Sequence, residues 1–337
     1  MKNKFIPMLQ NEKHILAGRS LFLPASLLLL CLSGGFKWGF FAHKKINRTA
    51  VFTLPAEMLR FYKSNLDYLT EHAVSADKRR YIIEEEAARH YFDTEHYGEA
   101  FLKKKMPGWE EMEQKFPSGS FRENGILPWH ILRMTARLTR AFRERDSVRI
   151  LRYSADLGHY LADAHVPLHT TMNYNGQLTG QTGIHGFWES RIPELFSDNY
   201  DYFTGKAVYI SDLPAKTWNI IRESYRAVDS VLAIEKTLSE KFPSDRKYTV
   251  YLKNNRPVKN YSRDYSAAYE EGLQGMIERR MIQAVLEVGS FWYTAWVNAG
   301  QPNLGRLEYR PLTVAEQSLL EKENRDQEGR QMLGRKE

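Results

Sequence analysis

His159-Tyr-Leu-Ala-Asp163-Ala-His165-Val-Pro167-Leu-His169, followed by His185-Gly-Phe-Trp-Glu189, is the stretch of this 337-residue chain on which its fold turns. His159 and Asp163 stand four apart, a spacing that on an α-helix lays both side chains on one face. His185 and Glu189 repeat it. Val166-Pro167 stops the first helix, because the residue before a proline avoids helical backbone, and lets His169 turn away from the first pair. Leu157, Leu161, Ala162, Leu168 and Phe187 make the surroundings apolar. A single His–Asp pair at this spacing is ordinarily a hydrogen bond. Two pairs close together, with His169 between them, bury imidazoles and carboxylates that need compensation, and a divalent cation supplies it.

Helical patterning extends outward from there. Ser147 to Ala164 reads as the helix carrying the first pair, and Ile131 to Arg145 places Leu132, Ala136, Leu138 and Phe142 at helical intervals. Earlier, Pro55 sits at a first-turn position, with Met58, Leu59, Tyr62 and Leu66 on one face. Helical periodicity returns over Leu213–Leu238 and Tyr261–Asn298, and strand-like alternation is nearly absent. Asn173 to Gly183, rich in Gly, Asn and Thr, reads as a loop. The expectation is an all-α, multi-helix single domain.

Hydrophobic residues at 42% and aromatics at 13% are enough for a large core and exclude overall disorder. The run from Leu21 to Leu32 is apolar, follows a basic stretch and ends in Ser33-Gly34-Gly35, the layout of a signal peptide with an uncleaved anchor as the competitor. Removing residues 1–35 takes the formal charge from +7 to +4, a mild bias towards anionic partners. Cys31, the only cysteine, lies inside that segment, so any metal elsewhere is held by His, Asp and Glu. The organisation expected is a leader or anchor at 1–35, a domain over 36–310 and a charged, frayed or flexible tail over 311–337. The protein is expected to be exported, periplasmic or extracellular, and membrane-tethered if the leader is retained.

All ten histidines fall at or before His185. Together with Trp38-Gly-Phe-Phe-Ala-His43, Ala76-Asp77 and His90-Tyr-Phe-Asp93, the two helical pairs resemble, in order and spacing, the zinc-dependent phospholipase C and single-strand-specific nuclease superfamily. The resemblance runs from about Trp38 to Leu195. It implies a helical fold with a zinc cluster in a cleft and up to three Zn2+ ions. One zinc would be held by Asp77, His90, His159 and Asp163; a second by His169, His185 and Glu189; a third by the backbone of Trp38, by His43 and by Asp163 as a bridge. The Trp is the mature N-terminus in that family, whereas Phe36-Lys37 precedes it here; a chain starting upstream would leave only the Trp38 carbonyl.

The activity implied is hydrolysis of phosphate esters by a metal-bridged hydroxide attacking phosphorus, with Asp77 orienting the nucleophile and Asp163 holding the metals together. The substrate expected is an anionic phosphoester, either single-stranded nucleic acid or phospholipid, and no obligate protein partner is evident. Tyr91 and Asp93 match the positions of a base-stacking aromatic and a base-edge acceptor in the nuclease branch; alternatively Tyr91 packs in the core and Asp93 supports a ligand. Glu189 closing its motif, and the absence of disulfides, match the phospholipase branch. A catalytically silent zinc-binding module of the same fold is the competing function. His72, His96, His130 and His165 are read as structural or surface residues, and Trp188, Trp292 and Trp296 as core.

Overall fold

The computed structural model describes residues 39–103, 105–116, 120–203, 205–253, 256–307, 311–325 and 332–333. The chain divides after Ser33, and the unit Gly34–Glu337 holds every described element. The leader expected at 1–35, Cys31 and Trp38 lie outside the described residues. The longer helices are α1 (Phe40–Ala50), α2 (Leu127–Arg143), α3 (Ser147–Ala164), α4 (Leu213–Lys241), α5 (Arg263–Gly272), α6 (Met276–Asn298) and α7 (Val314–Asn324). One antiparallel hairpin, β1 (Tyr248–Lys253) and β2 (Arg256–Tyr261), is the only sheet among the described residues. No described helix is long and apolar enough to cross a membrane.

α3 lies at the centre, packed against α1, α2 and α6. It begins where the Asp146 carboxylate accepts the Arg149 backbone N–H at 3.0 Å, which satisfies one orphan donor of the first turn. It ends at His165, ahead of Val166-Pro167, where the sequence places its stop. From Ser154 to Ala164 every residue is buried, and a helix covered all round belongs in the middle of a core. The two residues meant to bind metal, His159 and Asp163, therefore sit inside the protein rather than on its rim.

The packing of α1 on α3 depends on Gly158. A Cβ there would fall 1.9 Å from Asn47 Oδ1. Because the glycine leaves that space, Asn47 reaches across and donates from Nδ2 to the Ala155 carbonyl at 3.0 Å. One turn before Asn47 stands His43, and one residue after Gly158 stands His159; their rings stack with centroids 4.0 Å apart. A single missing methyl thus sets how close α1 brings its histidine to the central helix.

Several elements differ from the sequence reading. α2 begins at Leu127 rather than Ile131, with Pro128 in its first turn, where its missing N–H has no helical partner to lose. Pro55 caps its short helix, Ala56–Ser64, from extended backbone instead of lying within it. The periodic run Tyr261–Asn298 is two helices, because Gly275 takes a left-handed conformation at φ 72° between α5 and α6. The hairpin went unread, although Tyr248-Thr-Val-Tyr251 is the β-branched and aromatic run that favours strands. The expected flexible tail is in part a docked helix. α7 opens with a reciprocal Thr313/Glu316 capping box, and its Glu323, 3% exposed, accepts from Arg79 at 3.1 Å and Arg152 at 3.3 Å. Charge alternation alone does not show that one acid among many meets two inward-facing arginines.

Replacing a mid-helix glycine by alanine ordinarily stabilises a helix by about 1 kcal/mol. Gly158→Ala is expected to do the opposite, lowering stability by about 1–3 kcal/mol through overpacking against Asn47 and weakening metal binding by His43. Denaturant titration with zinc quantification checks this; a stabilised variant with full metal content would show that Gly158 does not set the spacing.

Candidate metal centre

Six separate segments deliver the predicted ligands. α1 contributes His43 and α3 contributes His159 and Asp163. The short helix Ser75–Arg79 holds Asp77, and His90 follows the turn Glu84–Arg89. Pro167–Thr170, a tight 3-10 turn packed under α4, presents His169. His185 and Glu189 span a short helical turn that widens into a π-turn at Phe187–Arg191, a geometry frequent at functional sites. The segments are tied to one another. His169 Nδ1 donates to the His90 carbonyl at 2.5 Å, and the Phe92 N–H returns a bond to the His169 carbonyl at 2.8 Å.

The donor atoms converge into three groups, His43/His159/Asp163, Asp77/His90/His159 and His169/His185/Glu189, each with its ligand atoms within 4.8 Å of one another. A tetrahedral zinc with arms of about 2.1 Å has ligand–ligand edges of about 3.4 Å. Around the first expected zinc, His90 Nδ1 is 3.0 Å from Asp163 Oδ2, 3.1 Å from His159 Nε2 and 3.7 Å from Asp77 Oδ1. His159 Nε2 lies 3.3 Å from Asp163 Oδ2 and 3.7 Å from Asp77 Oδ1. These edges bracket the tetrahedral value. The residues fit the ion.

Tautomers agree with that fit. His159 Nδ1 donates to the Ala73 carbonyl at 2.8 Å, so the lone pair of the neutral ring is on Nε2, facing the carboxylates. The Nδ1 bond of His169 fixes its ring the same way, and its Nε2 lies 3.2 Å from Glu189 Oε2. His185 Nε2 meets the same oxygen at 2.7 Å. His43 Nε2 stands 3.4 Å from Asp163 Oδ1 and 3.4 Å from Glu189 Oε1. Each of these two carboxylates therefore turns one oxygen to its own cluster and the other to His43. The bridging by Asp163 is as the resemblance implies; the reach of Glu189 towards His43 was not in the sequence reading, since spacing shows which residues share a helix face but not where a second oxygen points.

Burial works against ionising Asp163, yet His159 and His169 hold its carboxyl well below the usual range. Glu189 is likewise held down, against burial, by hydrogen bonds with His169, His185 and His43. Burial also opposes a charge on His159, but Asp163 and Asp77 pull its pKa up to about 9 in the metal-free protein. A buried anionic cage that draws protons onto its imidazoles is one that a cation can occupy instead.

Behind the cage lies a group of charges that the sequence reading did not single out. Arg79, two residues after Asp77, contacts Asp156 of α3 at 3.0 Å, Glu323 of α7 at 3.1 Å and Glu86 at 3.3 Å. Glu86, fully buried, also pairs with Arg89, accepts from the Tyr160 hydroxyl and lies 3.6 Å from the far nitrogen of His90. Arg79 thus pins the Asp77 helix to α3, and Glu86 backs the ligand face of His90. Only proximity in space reveals this, as Glu323 is remote in sequence.

The other expectations resolve individually. Tyr91 is 5% exposed and donates from its hydroxyl to the Glu123 carbonyl at 2.8 Å. Its ring belongs to the packing around Gly125 and offers no open platform for a base. Asp93 is 7% exposed, with its backbone N–H bonded to the Asn124 carbonyl. His165 turns aside, donating from Nδ1 to the Leu161 carbonyl. His130 packs against Tyr160 and His72 against Tyr68, while His96 is exposed. Trp188, Trp292 and Trp296 are core residues. Gly39, which follows Trp38, has its Cβ position 3.1 Å from Glu189 Oε1, a close approach that a larger residue would crowd.

A sequence model of the family described as zinc dependent phospholipase C matches residues 42–249, which include every ligand placed above. No curated protein matches the chain.

Two expectations follow from the geometry. Asp163→Asn removes a carboxylate used by two clusters, so it should release more zinc than His185→Ala and lower turnover by more than roughly a hundredfold, beyond the effect of losing a supporting residue. Equal zinc loss in the two variants, measured by metal analysis, would sink the shared-ligand arrangement. Zinc uptake by chelator-treated protein at pH 7 should release protons, because His159 is protonated there and its Nε2 must be bare to bind metal. In that metal-free protein the raised pKa contributes stability fully below about 6.5 and loses it as pH rises through about 9. Calorimetric titrations in buffers of different ionisation enthalpy check the proton release; identical heats would contradict it.

Proposed function

Since the chain belongs to the zinc-dependent phospholipase C family, we propose that the ester it cleaves is the head-group phosphodiester of a phospholipid. It is a zinc-dependent hydrolase of phosphate esters, as the family and its three ligand clusters give. The observation that carries the reaction class is the sharing of Asp163 and Glu189, which makes one centre of the three clusters. The choice of lipid over nucleic acid is supported by the closed position of Tyr91, the residue a stacked base would need.

Zinc held by these residues supplies Lewis acidity at phosphorus and a water acidified to a pKa of about 7. The protein's part is preorganisation. His159 and His169 are locked by backbone carbonyls into the tautomer with Nε2 free. Asp163 and Glu189, buried and ionised, fix the spacing between clusters and leave an excess of positive charge for a phosphate once the sites are filled. Asp77 has the most exposed side chain among the three carboxylates, 18% against 11% for Glu189 and 1% for Asp163. It is therefore the one placed to accept the proton of an attacking water or to orient it.

Export is part of the same proposal. It is supported by the basic-then-apolar arrangement of the first 35 residues. If the mature chain begins at Trp38, its amine joins the cluster of His43 as a further ligand; N-terminal sequencing of the exported protein tests that start.

The purified zinc-loaded protein should hydrolyse phosphatidylcholine with kcat/KM at least roughly tenfold above that for single-stranded DNA or RNA, a difference of about 1.4 kcal/mol in barrier. Tyr91→Phe, which keeps the ring and drops one hydrogen bond, should alter both substrates alike. Faster cleavage of DNA, with a selective loss in Tyr91→Ala, would overturn the lipid reading in favour of a nuclease. Zinc bound with no turnover of any ester would leave a silent module.

A further inference from the structure

The family match ends within β1, and the hairpin that follows is built on the metal centre's own support. At its root Tyr261 stacks on Phe187, centroids 3.9 Å apart, and Phe187 stands between the ligands His185 and Glu189. Arg191 donates to the Tyr261 carbonyl at 3.3 Å, and Lys247 is tied to the buried Glu235 at 3.0 Å. The base of the hairpin is therefore anchored on the segment that presents two zinc ligands.

The outer part is different. The register pairs Tyr248 with Tyr261, Val250 with Lys259 and Leu252 with Pro257, so these six residues share one face. Val250 is 65% exposed and Leu252 72% exposed, with Pro257 and Lys259 also in solvent. Two-stranded hairpins are marginal by themselves, and bare aliphatic side chains on one mark a contact surface. From Lys247 to Arg263 the sequence carries Lys247, Lys253, Arg256, Lys259 and Arg263 and no acidic residue. Aliphatic side chains among cations suit an interface of acyl chains beneath anionic head groups. A nucleic-acid surface would instead offer open rings for stacking, and here the outer positions are Val250 and Leu252, while Lys259 lies 4.0 Å over the Tyr248 ring.

We propose that the β1–β2 hairpin docks the protein on anionic lipid bilayers, with Val250 and Leu252 entering the interface and Lys259 meeting lipid phosphates. Its purpose rests on the phospholipid reading of the site, since the anchored root would then hold the zinc centre at a fixed distance from the bilayer.

The test uses zinc-loaded full-length protein, sedimented with vesicles of phosphatidylcholine alone or mixed with phosphatidylglycerol. Binding to the mixed vesicles should exceed binding to the neutral ones by roughly tenfold or more. Val250→Asp combined with Leu252→Asp should lower binding, and hydrolysis of vesicle lipid, by roughly tenfold or more. Hydrolysis of the soluble ester bis-p-nitrophenyl phosphate and the Tm should stay unchanged. Lys259→Glu, a single exposed change, should weaken binding to the mixed vesicles only. Unaltered binding in both variants, absence of binding by the parent protein, displacement by single-stranded DNA, or an equal loss on the soluble ester would each overturn the proposal. Vesicle binding without lipid hydrolysis would uphold docking and refute the phospholipid substrate, so the two readings fail separately.

Discussion

Buried carboxylates that cannot be left alone are the constraint from which this molecule is built. Asp163 sits in the last turn of the central helix at 1% exposure and Glu189 lies at 9%. An ionised group in such a place is tenable only if partners return the hydration it has lost. Imidazoles provide the first return: His43, His90 and His159 around Asp163, and His43, His169 and His185 around Glu189. Because those histidines come from segments far apart in the chain, the same requirement folds the segments together. The metal ligands and the organisers of this part of the core are the same residues.

Around that centre the polar network reaches the surface by steps, each closing a group opened by the one before. His90 turns its far nitrogen towards Glu86; Glu86 takes Arg79 and Arg89; Arg79 takes Asp156 and Glu323. The last of these brings in α7, which Arg152 and Arg149 of α3 also hold, through Glu323 and Glu316. Removing one member of a buried pair ordinarily leaves an uncompensated charge worth about 3–5 kcal/mol. The docked helix is thus coupled to the position of Asp77 through a guanidinium two residues away.

What could be read from the sequence was governed by the range of the interaction. His159 with Asp163, and His185 with Glu189, are contacts within one helical stretch, and their spacing carries their meaning. The bounds of α3 follow likewise from Asp146 as a cap and Pro167 as a stop. The role of Gly158 was hidden, because propensity sees only a weak helix former while the structure sees Asn47 pressed against it. The family resemblance placed Asp77, His90 and His43 beside the helical pairs, which periodicity could not do. It also left Tyr91 as either a stacking platform or a packed residue, and the structure buries it, with its hydroxyl bonded to the Glu123 carbonyl. Glu323 was missed because Arg79 and Arg152 lie far off in the chain; the hairpin pairs locally, and its β-branched and aromatic run was simply outweighed by the helical periodicity around it.

The placement of these parts bears on how a hydrolase meets its substrate. The ligands lie between α1 and the turn ending at Glu189, a region whose interior is crowded with ring contacts and fixed tautomers and offers little freedom for adapting to a substrate's shape. The hairpin, by contrast, joins this region through contacts of its root with Phe187 and Arg191. A rigid reaction centre with an outward-reaching attachment divides the work: the cage fixes charge and geometry at phosphorus, and the attachment governs which surface the cage is brought to. Substitutions at Val250 or Leu252 can then alter where the protein acts without moving a ligand, whereas changes at Phe187, stacked between the two functions, must disturb both.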